Sequence, residues 1–138
     1  WFPGAAIAGV ALFTLARLAT SLVPSTSQSS ISMFVSWPSG MLSFAALAVV
    51  APLAEEIFFR GFIWASLRRY HRVAAFLGAW LLFVAFHASQ TWGEWGALVA
   101  ISVTGLGLTI IRAVSGSALT AATAHLVYNG MLAVLAFI

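Results

Sequence analysis

Five long apolar runs, separated by short polar breaks, organise this chain. The first extends from Gly4 to Val23 and is interrupted only by Arg17 and a few small hydroxyl residues. A charge-free stretch rich in Ser, Thr, Gln and Pro follows, from Pro24 through Pro38. It reads as an exposed loop in which Ile31 to Trp37 suit the membrane interface. The second run begins near Gly40 and continues to about Trp64, with Pro52 as an expected kink. The cluster Arg68, Arg69, Tyr70, His71 and Arg72 ends it. A third run covers Val73 to about Ser89, and a turn containing Trp92, Gly93, Glu94 and Trp95 follows. The fourth runs from Gly96 to Ile111, Ser115-Gly116-Ser117 form the next break, and the fifth is Ala118 to Ile138. A spanning helix needs about 20 mainly apolar residues, within a range of roughly 17–25. The pattern predicts an all-α fold, a polytopic transmembrane helix bundle of about five spans. Residues 1–39 form the first transmembrane helix and an outward Ser-rich loop, and residues 40–138 form the core of the bundle. The chain starts at Trp1 and its last span stops without a polar tail, so further spans of a larger chain are expected.

Composition sharpens this reading. Of 138 residues, 62% are hydrophobic and 7% charged, where a soluble domain carries roughly 25% Asp, Glu, Lys and Arg. So few charges cannot cover a water-soluble surface, and so much apolar side chain excludes disorder. The charges are six Arg and three Glu, with no Lys, Asp or Cys. No basic stripe is long enough to track phosphates, so nucleic acid is not an expected partner. Without Cys there are no disulfides and no thiolate zinc sites. Arg68, Arg69, Arg72 and, two spans later, Arg112 share one side of the membrane, which the arginine bias assigns to the cytoplasm. The expected location is the cell membrane, multi-pass, with the lipid bilayer as surroundings.

Three charged residues fall where charge is costly. Ionisable side chains inside a span cost about 2.5–3.5 kcal/mol each on insertion scales and usually mark a functional site. Glu55, Glu56 and Arg60 lie within the second span, His87 in the third, and His125 with Asn129 in the fifth. Glu56 and Arg60 are four residues apart and can pair, which offsets the desolvation of both. Glu55 is rotated about 100° from Glu56, so one carboxylate is held by Arg60 and the other is free to face a cavity. A Glu with a His can activate a water molecule, the carboxylate taking its proton and the imidazole orienting it or shuttling the proton. A second His and an Asn can donate to a developing oxyanion. Each group alone has a structural reading: an ion pair, an interhelical hydrogen bond, helix glue. Gly105 and Gly107 read as close-packing positions, Arg17 and Glu94 as helix-end residues, and His71 as a solvated interface residue. The co-occurrence on three helices is what the structural readings leave unexplained.

These residues also resemble a known family. Glu55-Glu56-x-x-x-Arg60, Phe83-x-x-x-His87 and His125-x-x-x-Asn129, in this order on successive hydrophobic segments, are similar to the motifs of the CAAX protease and bacteriocin-processing (ABI, or CPBP) family of intramembrane proteases. Phe58-Phe59-Arg60-Gly61-Phe62 looks like its bacterial members. The resemblance makes residues 40–138 an intramembrane protease core. It implies Glu55 as the general base that activates water, His87 assisting, and His125 and Asn129 stabilising the tetrahedral oxyanion, with Glu56 held by Arg60 in support. It implies no cofactor and a glutamate-type mechanism, although a zinc site from His87, His125 and a Glu is chemically possible. No His-Glu-x-x-His pair is present, and the two His come from separate helices. The implied partner is a peptide or protein substrate, with a role in peptide or bacteriocin processing or self-immunity; oligomeric state is left open. The alternative reading is a non-catalytic membrane adaptor or bacteriocin-immunity protein, and a proton-coupled transporter is disfavoured by the lack of internal repeats. The enzyme reading requires the Glu55 carboxylate and the His87 and His125 rings to converge within about 3–5 Å, in direct or one-water contact. Depth arithmetic works against this, since His87 lies about 20 Å and His125 about 10 Å from the cytoplasmic starts of their spans.

Overall fold

The structure, a computed structural model, describes residues 2–23 and 38–136. The first apolar run forms α1 (Phe2–Ser21). The second forms one continuous rod: α2 (Pro38–Glu56), a π-helical segment (Ile57–Ile63) and α3 (Trp64–Arg68). The remaining runs form α4 (Arg72–Ala88), α5 (Trp95–Ser115) and α6 (Ala118–Ala136). Among the described residues there are no strands, and the molecule is a helical membrane bundle. Among the described residues three helices are long and apolar enough to cross a membrane, over Pro3–Ser21, Trp95–Ser115 and Ala118–Leu135, while Arg72–Ala88 is a shorter apolar helix. The Ser-rich stretch, with its expected interfacial segment Ile31–Trp37, lies outside the described residues.

The helix runs on through Pro52, which is fully buried, and a stretch of π-helical geometry that the sequence did not announce follows at Ile57–Ile63. There the Trp64 N–H reaches Phe59 O and Gly61 O and passes over Arg60 O. Arg112 Nε donates to that carbonyl at 2.9 Å, so a side chain from another helix takes up the backbone group that the wide turn exposes. The fourth helix extends past the expected Ile111 to Ser115, which places Arg112 in its last turn with its side chain on Arg60 O. Gly116, at φ +71°, then closes α5 in the left-handed conformation that favours glycine.

Small residues set the packing. α1 turns Ala5, Gly9, Leu12 and Ala16 inward at helical spacing, against α5 and α6. A Cβ on Gly9 would stand 2.5 Å from Ala124 O, and one on Gly107 would overlap the Leu12 side chain. One core cluster joins Leu12, Ala16, Leu108, Ala124 and Tyr128, and a second joins Trp64, Ala75 and Ala79 across the α3–α4 turn. The outer faces stay apolar: Ile7, Leu15, Leu18, Val114 and Leu119 are all more than half exposed. An apolar exterior around a polar interior is the arrangement that lipid selects.

The helices are also staggered. Arg112 stands three residues before the end of α5, yet it meets Arg60, eight residues before the end of α3. The bundle nevertheless brings His87 and His125 to one level, since both reach Glu55 within 4 Å, so depth counted along each span does not hold.

Candidate active site

Arg60 is the hub of the buried network. Its side chain is fully buried, with Nη1 donating to Glu56 Oε1 at 2.9 Å. Nη2 donates across to α5, to Gly105 O at 2.7 Å and to Thr109 Oγ1 at 3.3 Å. The Phe83 ring covers the guanidinium at 4.5 Å from its centroid. Gly105 is required for this close approach, because a Cβ there would stand 2.7 Å from the Phe83 ring. Thr109, whose hydroxyl donates to the same carbonyl at 2.7 Å, completes the polar floor.

Glu56 links this hub to α6. The same Oε1 that faces Arg60 lies 3.0 Å from His125 Nδ1. A carboxylate oxygen accepts, so Nδ1 carries a proton and Nε2 is the nitrogen left to face other groups. His87 is fixed in the same sense. Its Nδ1 lies 2.9 Å from Phe83 O, a carbonyl that can only accept, so its Nε2 is again the free nitrogen.

Both free nitrogens point at Glu55. His87 Nε2 is 3.5 Å from Glu55 Oε1, and His125 Nε2 is 3.9 Å from Glu55 Oε2. Where such a nitrogen is unprotonated, two acceptors face each other and a donor such as water must stand between them. The Glu55 and His87 side chains remain 20% and 16% exposed, whereas Glu56, Arg60 and His125 are buried to 5% or less. The network is therefore sealed on its Arg60 side and open on its Glu55–His87 side. This is the division between the two carboxylates that their spacing predicts.

Glu55, Glu56, Arg60, His87 and His125 thus come together from three helical rods. Asn129 lies one turn beyond His125, half-buried, and has no hydrogen bond among the described residues. The donor chemistry of two imidazole Nε2 atoms and a carboxylate suits zinc. However, among the described residues no three His, Asp or Glu side chains are grouped closely enough to hold a metal.

Sequence reasoning missed several participants. Arg112 looked like an orientation signal, yet it anchors the Arg60 carbonyl and lies 5.2 Å over the Trp64 ring. Thr109 and Gly105 O, which hold Arg60, gave no signal beyond a small-residue stretch. Phe83 marked only a motif spacing, but it covers Arg60 and lies edge-on to His125 at 6.1 Å. His71 caps α4, its Nδ1 accepting from the Val73 N–H at 3.2 Å.

The fold and site define a helical membrane bundle with a Glu–His pair open at one side and braced by a buried arginine. The sequence model of the family described as Rce1-like, type II CAAX prenyl endopeptidase Rce1-like, matches residues 35–131. The chain belongs to this family of CAAX proteases, and the matched segment contains every residue of the network. No curated protein and no solved structure matches the chain.

Proposed function

We propose that this protein is an intramembrane endopeptidase of glutamate type, with Glu55 and His87 as its catalytic pair. The observation that carries the reading is the convergence of His87 Nε2 and His125 Nε2 on the two oxygens of Glu55, at 3.5 and 3.9 Å. A water between Glu55 and His87 gives a proton to the carboxylate while its oxygen attacks the carbonyl carbon of a peptide bond. The carbonyl π electrons move to oxygen, and Asn129 with His125 donates to the resulting oxyanion. His125 can donate through Nε2 only as the doubly protonated ring, since Nδ1–H is committed to Glu56. Collapse of the intermediate breaks the C–N bond, and the proton held by Glu55 passes to the leaving amine. Glu56 and Arg60 position His125 and do not touch substrate.

The substrate is a peptide or protein whose scissile bond reaches the membrane, and its processing serves peptide or bacteriocin maturation or self-immunity. The chain sits in the cell membrane as a multi-pass protein. The test uses the purified protein in detergent with quenched fluorescent peptides, some ending in a prenylated Cys-aliphatic-aliphatic-X sequence and some unmodified. Cleavage that falls 10²-fold or more in Glu55→Gln, about the range of acid–base catalysis, supports the reading. Wild-type cleavage by Glu55→Gln overturns it. Activity abolished by a chelator and restored only by zinc replaces the glutamate mechanism with a metallopeptidase one.

A further inference from the structure

Outside the polar network, a second feature combines charge with a cavity. A cavity of about 350 Å³ opens at the arginine-rich end of the bundle, between α3, α4 and the end of α5. Trp64, Val73, Phe76 and Leu77 form its apolar wall, and Arg68 and Arg72 stand at its rim. Val73, Phe76 and Leu77 follow Arg72 at helical spacing, so one face of α4 carries a cation and then an apolar stripe running one turn into the bundle. Arg68 and Arg72 are exposed and have no carboxylate partner among the described residues.

The sequence offers them none. Its three acidic side chains are Glu55 and Glu56, which face histidines and Arg60, and Glu94. Glu94 lies beyond the far end of the 17-residue α4, about 25 Å along its axis at 1.5 Å per residue. The neighbouring cations are engaged elsewhere: Arg69 stacks on Tyr70, and Arg112 lies over Trp64 and bonds Arg60 O. Arg72 is, moreover, the first residue of α4, where the helix dipole already presents positive charge and a cation is disfavoured unless an anion joins it. Two unpaired arginines above an apolar wall match one kind of molecule in a membrane, a lipid with an anionic phosphate above an acyl chain.

We infer that this cavity is a binding site for an anionic phospholipid, its phosphate held by Arg68 and Arg72 and its acyl chain lying along Val73, Phe76 and Leu77. Trp64 forms the inner wall and so reports occupancy. The experiment places the full chain in phosphatidylcholine nanodiscs and titrates in phosphatidylglycerol with brominated acyl chains. Brominated phosphatidylcholine and inorganic phosphate serve as the other probes. Trp64 quenching is the difference between the wild-type protein and Trp64→Phe.

The expected result is saturable quenching with a preference for phosphatidylglycerol over phosphatidylcholine of roughly 30-fold, from two arginines at about 1 kcal/mol each near the surface. Arg68→Gln/Arg72→Gln abolishes that preference. Arg69→Gln, whose side chain lies outside the cavity, leaves it in place. Ala113 on α5 also lines the cavity, and Ala113→Phe, which fills it and keeps both arginines, removes the quenching. Equal quenching by the two lipids overturns the site. So does equal loss of preference in Arg69→Gln, the mark of diffuse charge attraction. Competition by inorganic phosphate at the concentration of the lipid identifies a phosphate site and overturns the lipid assignment.

Discussion

Glu56 Oε1 stands 3.0 Å from His125 Nδ1 and 2.9 Å from Arg60 Nη1, so one carboxylate oxygen holds together two helical rods and a buried cation. Its other oxygen, Oε2, and Arg60 Nε are buried with no hydrogen-bond partner among the described residues. A pair so placed is weak evidence for stability as it stands, yet removing one partner strands the other. Glu56→Gln is therefore expected to destabilise the protein by about 3–5 kcal/mol, read by denaturant unfolding in detergent. Glu56→Gln/Arg60→Met, which removes both charges, recovers a substantial part of that loss. A single variant as stable as the wild type shows that the Arg60 charge is compensated elsewhere.

Glu55 presents the opposite balance. Its side chain is 20% exposed and its neighbours are two imidazole nitrogens at 3.5 and 3.9 Å, while the buried Arg60 bonds Glu56 instead. Glu55→Gln is expected to change stability by no more than about 1 kcal/mol, as for a partly solvated site outside the core, while peptide cleavage falls by about 10²–10⁴-fold. The two adjacent glutamates are thus separable by measuring unfolding and turnover on the same preparations. Loss of folding in Glu55→Gln contradicts the division of labour drawn from the geometry.

The two histidines divide in the same way. His125 is nearly buried and donates to Glu56, so His125→Ala removes a hydrogen bond to a charged group, worth about 1.5–3 kcal/mol. His87 is half-buried, its Nδ1 bonding Phe83 O within its own helix and its Nε2 facing the partly exposed Glu55. His87→Ala is expected to lower stability by about 1 kcal/mol or less and to lower kcat as Glu55→Gln does. Thermal unfolding and turnover of both variants check this ordering. Equal stability losses contradict it.

Much of this was legible in the chain before its fold was known. Five apolar runs gave five helical rods because lipid demands that each backbone satisfy itself internally, a local rule that hydropathy reports directly. The pairing of Glu56 with Arg60 followed from four-residue spacing, and the freedom of Glu55 followed from its rotation about the same axis. What stayed hidden depends on other helices. The widened turn at Ile57–Ile63 is supported by Arg112, 52 residues away, whose position in the chain suggests only a membrane-edge charge. The convergence of His87 and His125 on Glu55 depends on how the helices pack against one another, and depth counted along each span separately has no access to it. Glycines were legible as packing positions but not in their partners: Gly105 makes room beside Phe83 for Arg60, and Gly107 for Leu12.

Arg112 is the test of that hidden link. Its Nε donates to Arg60 O at 2.9 Å, and its guanidinium lies 5.2 Å from the Trp64 centroid. Arg112→Met keeps the stem and loses the donor. A hydrogen bond with a charged partner is worth about 1.5–3 kcal/mol, and stability is expected to fall by that amount. Because the freed carbonyl belongs to Arg60, turnover is expected to fall as well, by roughly 10-fold for about 1.4 kcal/mol of misplacement in the transition state, with KM little changed. Arg112→Lys keeps the charge without the planar fork and restores only part of the activity. Full activity in Arg112→Met disconnects the π-helical turn from the chemistry.

Gly9 tests how α1 holds to the rest of the bundle. A Cβ at this position would stand 2.5 Å from Ala124 O and 2.8 Å from Val127 Cβ, and neither atom can move without shifting α6. Gly78 makes the instructive comparison, since a Cβ there meets only the flexible end of the Leu67 side chain. Gly9→Ala is therefore expected to cost about 1–3 kcal/mol through overpacking, and Gly78→Ala distinctly less. His125 sits on α6 one residue after Ala124, so displacement of α6 also moves the ring that bridges Glu55 and Glu56. Gly9→Ala should accordingly lower turnover although α1 contributes no side chain to the network. Denaturant unfolding and cleavage measured on both alanine variants decide the matter. If Gly9→Ala is the more stable of the two, or cleaves at the wild-type rate, α1 is not clamped to α6 in the way its buried glycine indicates.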